Sequence, residues 1–154
     1  MAVSLEHRVP PPIVAAATAA LMLGAAWLLP FLGFGFELKT VFAITLACAG
    51  VLVSLTGVVQ FWQARTTVNP LKPDSASALV VAGIYRWTRN PMYLGMATVL
   101  TAWGIYLANI GALAAVALFV ACMNRFQIAP EERALQARFG ADFEAYRARV
   151  RRWI

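Results

Sequence analysis

The chain has 154 residues, of which 61% are apolar and 13% charged, with a net charge of +6. A soluble domain carries about 45–50% apolar and about 25% charged residues, so this chain lacks the polar side chains to cover itself in water. Disorder needs low hydrophobicity and is excluded; so is a disulfide-stapled secreted domain, because Cys48 and Cys122 each sit inside an apolar run and read as small buried thiols.

A helix needs about 20 mostly apolar residues to cross a bilayer. Four stretches approach that length: Ile13 to Phe31, Thr40 to Gln63, Met92 to Ala108, and Gly111 to Met123, the last continuing past Asn124 and Arg125. The expected fold is all-α and integral to the membrane, with four transmembrane helices in two hairpins. The rival is three spans plus a half-inserted helix, because the third and fourth stretches are short. Pro10, Pro11 and Pro12 set the start of the first helix, and Phe-Leu-Gly-Phe-Gly-Phe, holding Gly33 and Gly35, forms the first hairpin loop. That G-x-G follows no strand and is no dinucleotide fingerprint. Only Asn109, Ile110 and Gly111 separate the third and fourth stretches, which predicts a tight antiparallel hairpin.

Charge orients the spans. Residues 64–90 hold Arg65, Lys72, Arg86 and Arg89 against Asp74, a net +3. The tail from residue 124 carries seven arginines against four acids, again +3, whereas Glu6 with Arg8 and Glu37 with Lys39 cancel. The whole excess then lies on one side of a four-span chain, which the positive-inside rule makes cytoplasmic, with both termini inside. A bacterial inner membrane is the expected location. The first apolar run is too long for a cleaved signal core and reads as a retained anchor. The basic balance fits anionic lipid; no basic stretch interleaved with aromatics suggests nucleic acid.

The two halves differ. Residues 1–63 form an N-terminal transmembrane hairpin whose small residues, Ala15–Ala17, Gly24–Ala26, Ala47, Ala49 and Gly50, permit close helix contact. Residues 64–154 carry the chemistry. A loop with Asn69, Pro70, Pro73, Ser75, Ser77 and Gly83 leads into Tyr85-Arg86-Trp87-Thr88-Arg89-Asn90-Pro91-Met92-Tyr93-Leu94-Gly95. Pro91 suits a first helical turn, and Thr88 and Asn90 are candidate N-caps. The bland reading of this stretch is an aromatic belt with snorkelling arginines. It explains Trp87 and Arg86 better than it explains Arg89, Asn90 and Tyr93, which set donors around a helix N-terminus that itself favours anions.

Beyond the fourth stretch, Asn124, Gln127, Glu131 and Leu135 share one face of an unbroken helix, and Arg125, Ile128 and Glu132 the next. Pro130 is expected to kink or restart that helix. These charges read either as plain interfacial groups or as one site, since polar groups beside lipid usually pair or line a cavity. In the second case Arg89 and Arg125 approach each other and meet Glu131 and Glu132. After a break at Gly140, Phe139, Phe143, Tyr146 and Val150 recur at helical spacing among arginines, which predicts a C-terminal cytoplasmic amphipathic helix, either interfacial or a lid over the site.

Gly83-x-Tyr85, Arg89-Asn90-Pro91-x-Tyr93-x-Gly95, the apolar hairpin, Glu131-Glu132-x-x-Leu135 and Phe139-Gly140 followed by Tyr146 together resemble the isoprenylcysteine carboxyl methyltransferase family, within a wider group of integral-membrane methyltransferases that includes phospholipid N-methyltransferases. The resemblance covers residues 65–152. It implies S-adenosylmethionine as methyl donor at the cytoplasmic ends of the last spans, and a lipophilic small-molecule or lipid acceptor arriving from the bilayer. It implies that Tyr85, Arg89, Asn90, Pro91, Tyr93, Gly95 and Glu132 bind the cofactor and that Arg125 and Glu131 act on the acceptor. No metal is implied. Asn90 departs from the family pattern, where many relatives carry His; an amide cannot titrate near neutrality, which puts a proton-shuttling role for this position in doubt. The acceptor stays open among carboxylate, amine and thiol. Two other readings also stand: a nicotinamide-dependent membrane reductase, since some such enzymes resemble the group at this end, and a non-catalytic membrane interaction protein.

Overall fold

The computed structural model describes residues 9–64 and 78–154. Helices are the only regular elements among those residues, with no strand; Gly33 and Asn109 form one isolated antiparallel bridge. Five α-helices follow in order: α1 (Pro11–Leu28), α2 (Lys39–Gln63), α3 (Pro91–Leu107), α4 (Ile110–Met123) and α5 (Ala129–Arg149). A 3-10 turn at Pro30–Leu32 follows α1, another at Gly83–Arg86 precedes α3, and a π turn at Asn124–Ile128 joins α4 to α5. Expected Glu6, Arg8, Arg65, Lys72 and Asp74 charges, and the loop residues Asn69, Pro70, Pro73, Ser75 and Ser77, lie outside the described residues.

The helix ends fall within about three residues of the hydrophobic boundaries, because apolar side chains stop where the helices do. Pro11 and Pro91 open α1 and α3 at positions whose N–H would be unpaired in any case. The hairpin between α3 and α4 is tighter than the sequence suggests: Ala108 and Asn109 alone make it, with Ala108 in the left-handed region (φ 51°).

Close packing sets the arrangement. A Cβ on Gly95 would lie 2.1 Å from Ser54 Oγ and 2.3 Å from the Gly50 carbonyl oxygen, so α2 and α3 touch backbone to backbone. Gly57 meets Pro91 further along, which makes the two helices antiparallel. Ser54 Oγ donates to the Met92 carbonyl at 3.0 Å. On the other side of α3, Trp103 Nε1 donates to the Ala19 carbonyl of α1 at 3.2 Å. Met22, Leu100, Ala112, Phe119 and Met123 form the core between α1, α3 and α4.

Outside that seam the helices are apolar and bare. Trp27, Phe31, Val41, Ile44 and Leu52 are all more than half exposed. An apolar surface this extensive belongs against lipid. Among the described residues three helical paths are long and apolar enough to cross a bilayer: α1, α2 and the path starting at Ile110. The last is 40 residues from Ile110 to Arg149, about 60 Å at 1.5 Å per residue. That is twice a hydrocarbon core of about 30 Å. Its apolar part ends at Met123, so the charged half from Asn124 onward lies beyond the crossing segment. α3, with 17 residues, is at the lower limit for a span.

The path restarts at Pro130, as expected: this residue opens α5 directly after the π turn. The π turn widens the helix just before it: the Ala129 N–H bonds the Asn124 carbonyl, one residue further back than in an α-helix. Pro130 then stands in the first turn of α5, where its missing N–H costs little. The turn also shifts the register, so Asn124 and Gln127 no longer line up with Glu131 as on an unbroken α-helix. The predicted break at Gly140 is present, at φ 50° and ψ −120°, a backbone that only glycine adopts easily. After it, Phe143 and Tyr146 are buried against Val80 and Tyr85. The aromatic side of the tail therefore covers the 3-10 turn leading into α3.

Candidate active site

The site lies where the start of α3, the first turns of α5 and the segment after α5 converge. Tyr85, in the 3-10 turn, is 4% exposed and packs edge-on to Phe61, with ring centroids 5.4 Å apart. Its carbonyl accepts from Tyr146 Oη at 2.8 Å, which ties the turn to α5. Its own hydroxyl is buried without a partner. Burial pushes that phenol well above its usual range.

Arg89 stands two residues before α3. Its Nη2 donates to Glu132 Oε1 at 2.8 Å, and its Nη1 to the Arg147 carbonyl at 3.2 Å. Burial lowers the guanidinium's affinity for its proton, and Glu132 opposes that. Its Nε is buried and unpartnered. Arg152 completes the pair on Glu132: Nη2 to Oε2 at 2.5 Å and Nε to Oε1 at 3.2 Å. One carboxylate thus holds two guanidiniums, leaving a local charge of +1 at the mouth of α3.

Asn90 occupies the N-cap position of α3, yet its side chain caps nothing there. Instead Nδ2 donates to the Arg152 carbonyl at 2.9 Å, while the Asn90 N–H is taken by Thr88 Oγ1 at 3.2 Å. Tyr93, in the first turn of α3 and 5% exposed, donates its hydroxyl hydrogen to Glu131 Oε1. Burial pushes the Glu131 carboxyl up to about 7; the Tyr93 bond favours the ionised form and Glu132 disfavours it, but burial outweighs the former.

The two sequence blocks therefore meet twice, through Arg89 with Glu132 and through Tyr93 with Glu131, across about 40 residues of chain. Pro91 and Gly95 are at the same helix end, but both face α2: they pack on Gly57, Gly50 and Ser54. Arg125 is exposed on the π turn, with its guanidinium over the Phe126 ring, 5.6 Å from the centroid. Arg152, missed by the sequence reading, is the second cation on Glu132. It sits in an irregular segment beyond the last periodic residue, where helical spacing says nothing about direction. A groove of about 470 Å³ opens beside Glu132, lined also by Ala129, Arg133, Gln136 and Arg147. Gln136 Oε1 is buried without a partner.

The family model for phospholipid methyltransferases matches residues 38–142, about two thirds of the chain. The chain belongs to this family. The phospholipid methyltransferase match begins at the start of α2, well before residue 65, which agrees with the glycine seam that makes α2 part of the α3 unit. It ends at Asp142, before Tyr146 and Arg152. An uncharacterized protein of Haemophilus influenzae is 41% identical over 63 residues, all of that protein and 41% of this chain. No solved structure matches.

Proposed function

We propose that this membrane methyltransferase uses S-adenosylmethionine to methylate a lipid-like acceptor at the cytoplasmic membrane face, with α1 to α4 crossing the bilayer and both termini inside. The observation that carries the reading is the double meeting of the two motif blocks at one helix end.

The residues suit that cofactor. Its carboxylate requires a cationic partner, and Arg89 and Arg152 keep an excess positive charge beside the open N-terminus of α3. Its amino groups require acceptors, and the orphaned Gln136 Oε1 borders a groove large enough for a ligand of that size. Tyr85, Arg89, Asn90, Tyr93 and Glu132 stand around the same helix end, while Pro91 and Gly95 fix α3 against α2. When bound, S-adenosylmethionine supplies an electrophilic methyl group on a sulfonium.

The protein then has to align the acceptor, exclude water and remove any proton the acceptor loses. Glu131 is suited to the last task. A carboxyl raised to about 7 is ionised in part at neutral pH and basic enough to take a proton. A carboxylate acceptor needs no base, so Glu131 favours an amine or a thiol. The exposure of Arg125 on the π turn supports its meeting an anionic part of the acceptor.

The test is calorimetry on the purified protein in detergent, then transfer of a labelled methyl group to membrane lipids. Binding of S-adenosylmethionine that weakens in Arg89→Ala supports the proposal. No binding in any detergent or lipid, with a fluorescence change on NADPH addition, replaces it with the reductase reading.

A further inference from the structure

Arg152 belongs to neither motif block, yet it makes a two-point contact at the centre of the site. Its planar fork makes a two-point contact with Glu132, the geometry in which arginine and lysine are least interchangeable. The side chain is 37% exposed against 13% for Glu132. A free surface pair of that kind contributes little, because long side chains lose freedom in forming it. This pair is not free. The Arg152 carbonyl accepts from Asn90 Nδ2 at 2.9 Å and from Thr88 Oγ1 at 3.4 Å. The Arg151 carbonyl accepts from the Arg89 N–H at 3.1 Å. Trp153 Nε1 donates to Asn124 Oδ1 at 3.0 Å. The backbone of 151 and 152 is thus tied to the start of α3 and the Trp153 side chain to the π turn, so the guanidinium reaches α5 from a fixed base.

We infer that Arg152 is a positioning residue: its fork fixes the Glu132 carboxylate, which in turn holds the Arg89 guanidinium in the orientation that meets an anionic ligand. With Arg152 gone, Glu132 follows Arg89 alone, and the local charge falls from +1 to zero. The inference rests on the proposed cofactor site only for the identity of that ligand.

The experiment uses the full chain in detergent with two readouts. In the first, calorimetry with S-adenosylmethionine, Arg152→Ala raises Kd about tenfold, and Arg152→Lys does the same, because it keeps the charge but loses the fork. The effects of Arg152→Ala and Glu132→Gln fall well short of multiplying in the double variant, and the melting temperature stays close to wild type. Wild-type affinity in Arg152→Lys, a Kd within about twofold in Arg152→Ala, or simple multiplication overturns the inference. The second readout needs no ligand: hydrogen exchange of the Arg89 amide, which the Arg151 carbonyl protects. Exchange is faster in both Arg152→Ala and Glu132→Gln; equal exchange in all three proteins overturns the inference. Protection that depends on Glu132 in a protein that binds no S-adenosylmethionine sinks the cofactor reading and leaves Arg152 in its place.

Discussion

The two ends of α3 and α4 are built on opposite principles. At the far end, Asn109 is 2% exposed and fully used: Nδ2 donates to the Leu29 carbonyl at 2.8 Å, and Oδ1 accepts from the Ala112 N–H at 3.0 Å. The Phe34 N–H bonds the Ala108 carbonyl across the same turn at 2.8 Å. These partners are neutral, and the network closes. At the other end stand Arg89, Glu131, Glu132 and Arg152, together with the buried side-chain atoms that lack a partner among the described residues: Tyr85 Oη, Arg89 Nε, Gln127 Oε1 and Gln136 Oε1. A buried polar atom without a partner costs about 1–3 kcal/mol. Their gathering at one end shows where this fold gives up stability, and such places are where ligands bind.

Substitutions at the two ends should accordingly act on different quantities. The largest effect is expected at Glu131. Glu131→Gln keeps the shape and a hydrogen-bond acceptor for Tyr93 but cannot take a proton, and methyl transfer is expected to fall by about 10²-fold or more, measured as labelled product, with melting unchanged or raised. Wild-type turnover in that variant removes Glu131 from the chemistry. In the active protein the rate should climb as pH rises through about 7, since only the ionised carboxylate accepts a proton. Stability runs the other way. Because the folded carboxyl holds its proton more tightly than the unfolded one, its favourable contribution is full below 4.5 and is lost as pH rises through about 7. A melting series over that range should slope downward in the wild type and flatten in Glu131→Gln.

The next effect belongs to the glycine seam between the ends. Gly95→Ala places a methyl group 2.1 Å from Ser54 Oγ and must push α2 from α3; about 1–3 kcal/mol of stability should be lost. Gly24→Ala is the control, since nothing lies within 4 Å of the added carbon; its denaturation midpoint should match wild type. A smaller loss, about 1–2 kcal/mol, is expected for Asn109→Ala, which removes the α4 cap and one of the two hydrogen bonds on the Leu29 carbonyl. Its KM for S-adenosylmethionine should not move. A raised KM would mean that the two ends communicate through α3 and α4, and the contrast drawn between them would fail.

Much of this was legible before any coordinates. The uncharged runs gave α1 to α4 nearly to the residue, because a helix in lipid must keep its backbone bonds internal and its surface apolar. The motif spacing named Arg89, Tyr93, Glu131 and Glu132. Other parts were not legible. The resemblance offers Gly95 as a cofactor contact; the 2.3 Å approach of the Gly50 carbonyl to its missing Cβ shows that it packs against α2. The π turn ahead of Pro130 is also invisible in sequence, since the same residues write an ordinary α-helix.

The sequence alone determined that the chain is helical, apolar and charged at one end, because composition and period are properties of neighbours along the chain. Which carboxylate meets which donor was decided only in three dimensions. Glu131 pairs with Tyr93 and Glu132 with Arg89 because a wide turn rotates α5 relative to α4 and a two-residue hairpin sets α3 beside them. Arg152 joins them because 151–153 folds back onto the start of α3, and no local periodicity specifies the direction of an irregular segment.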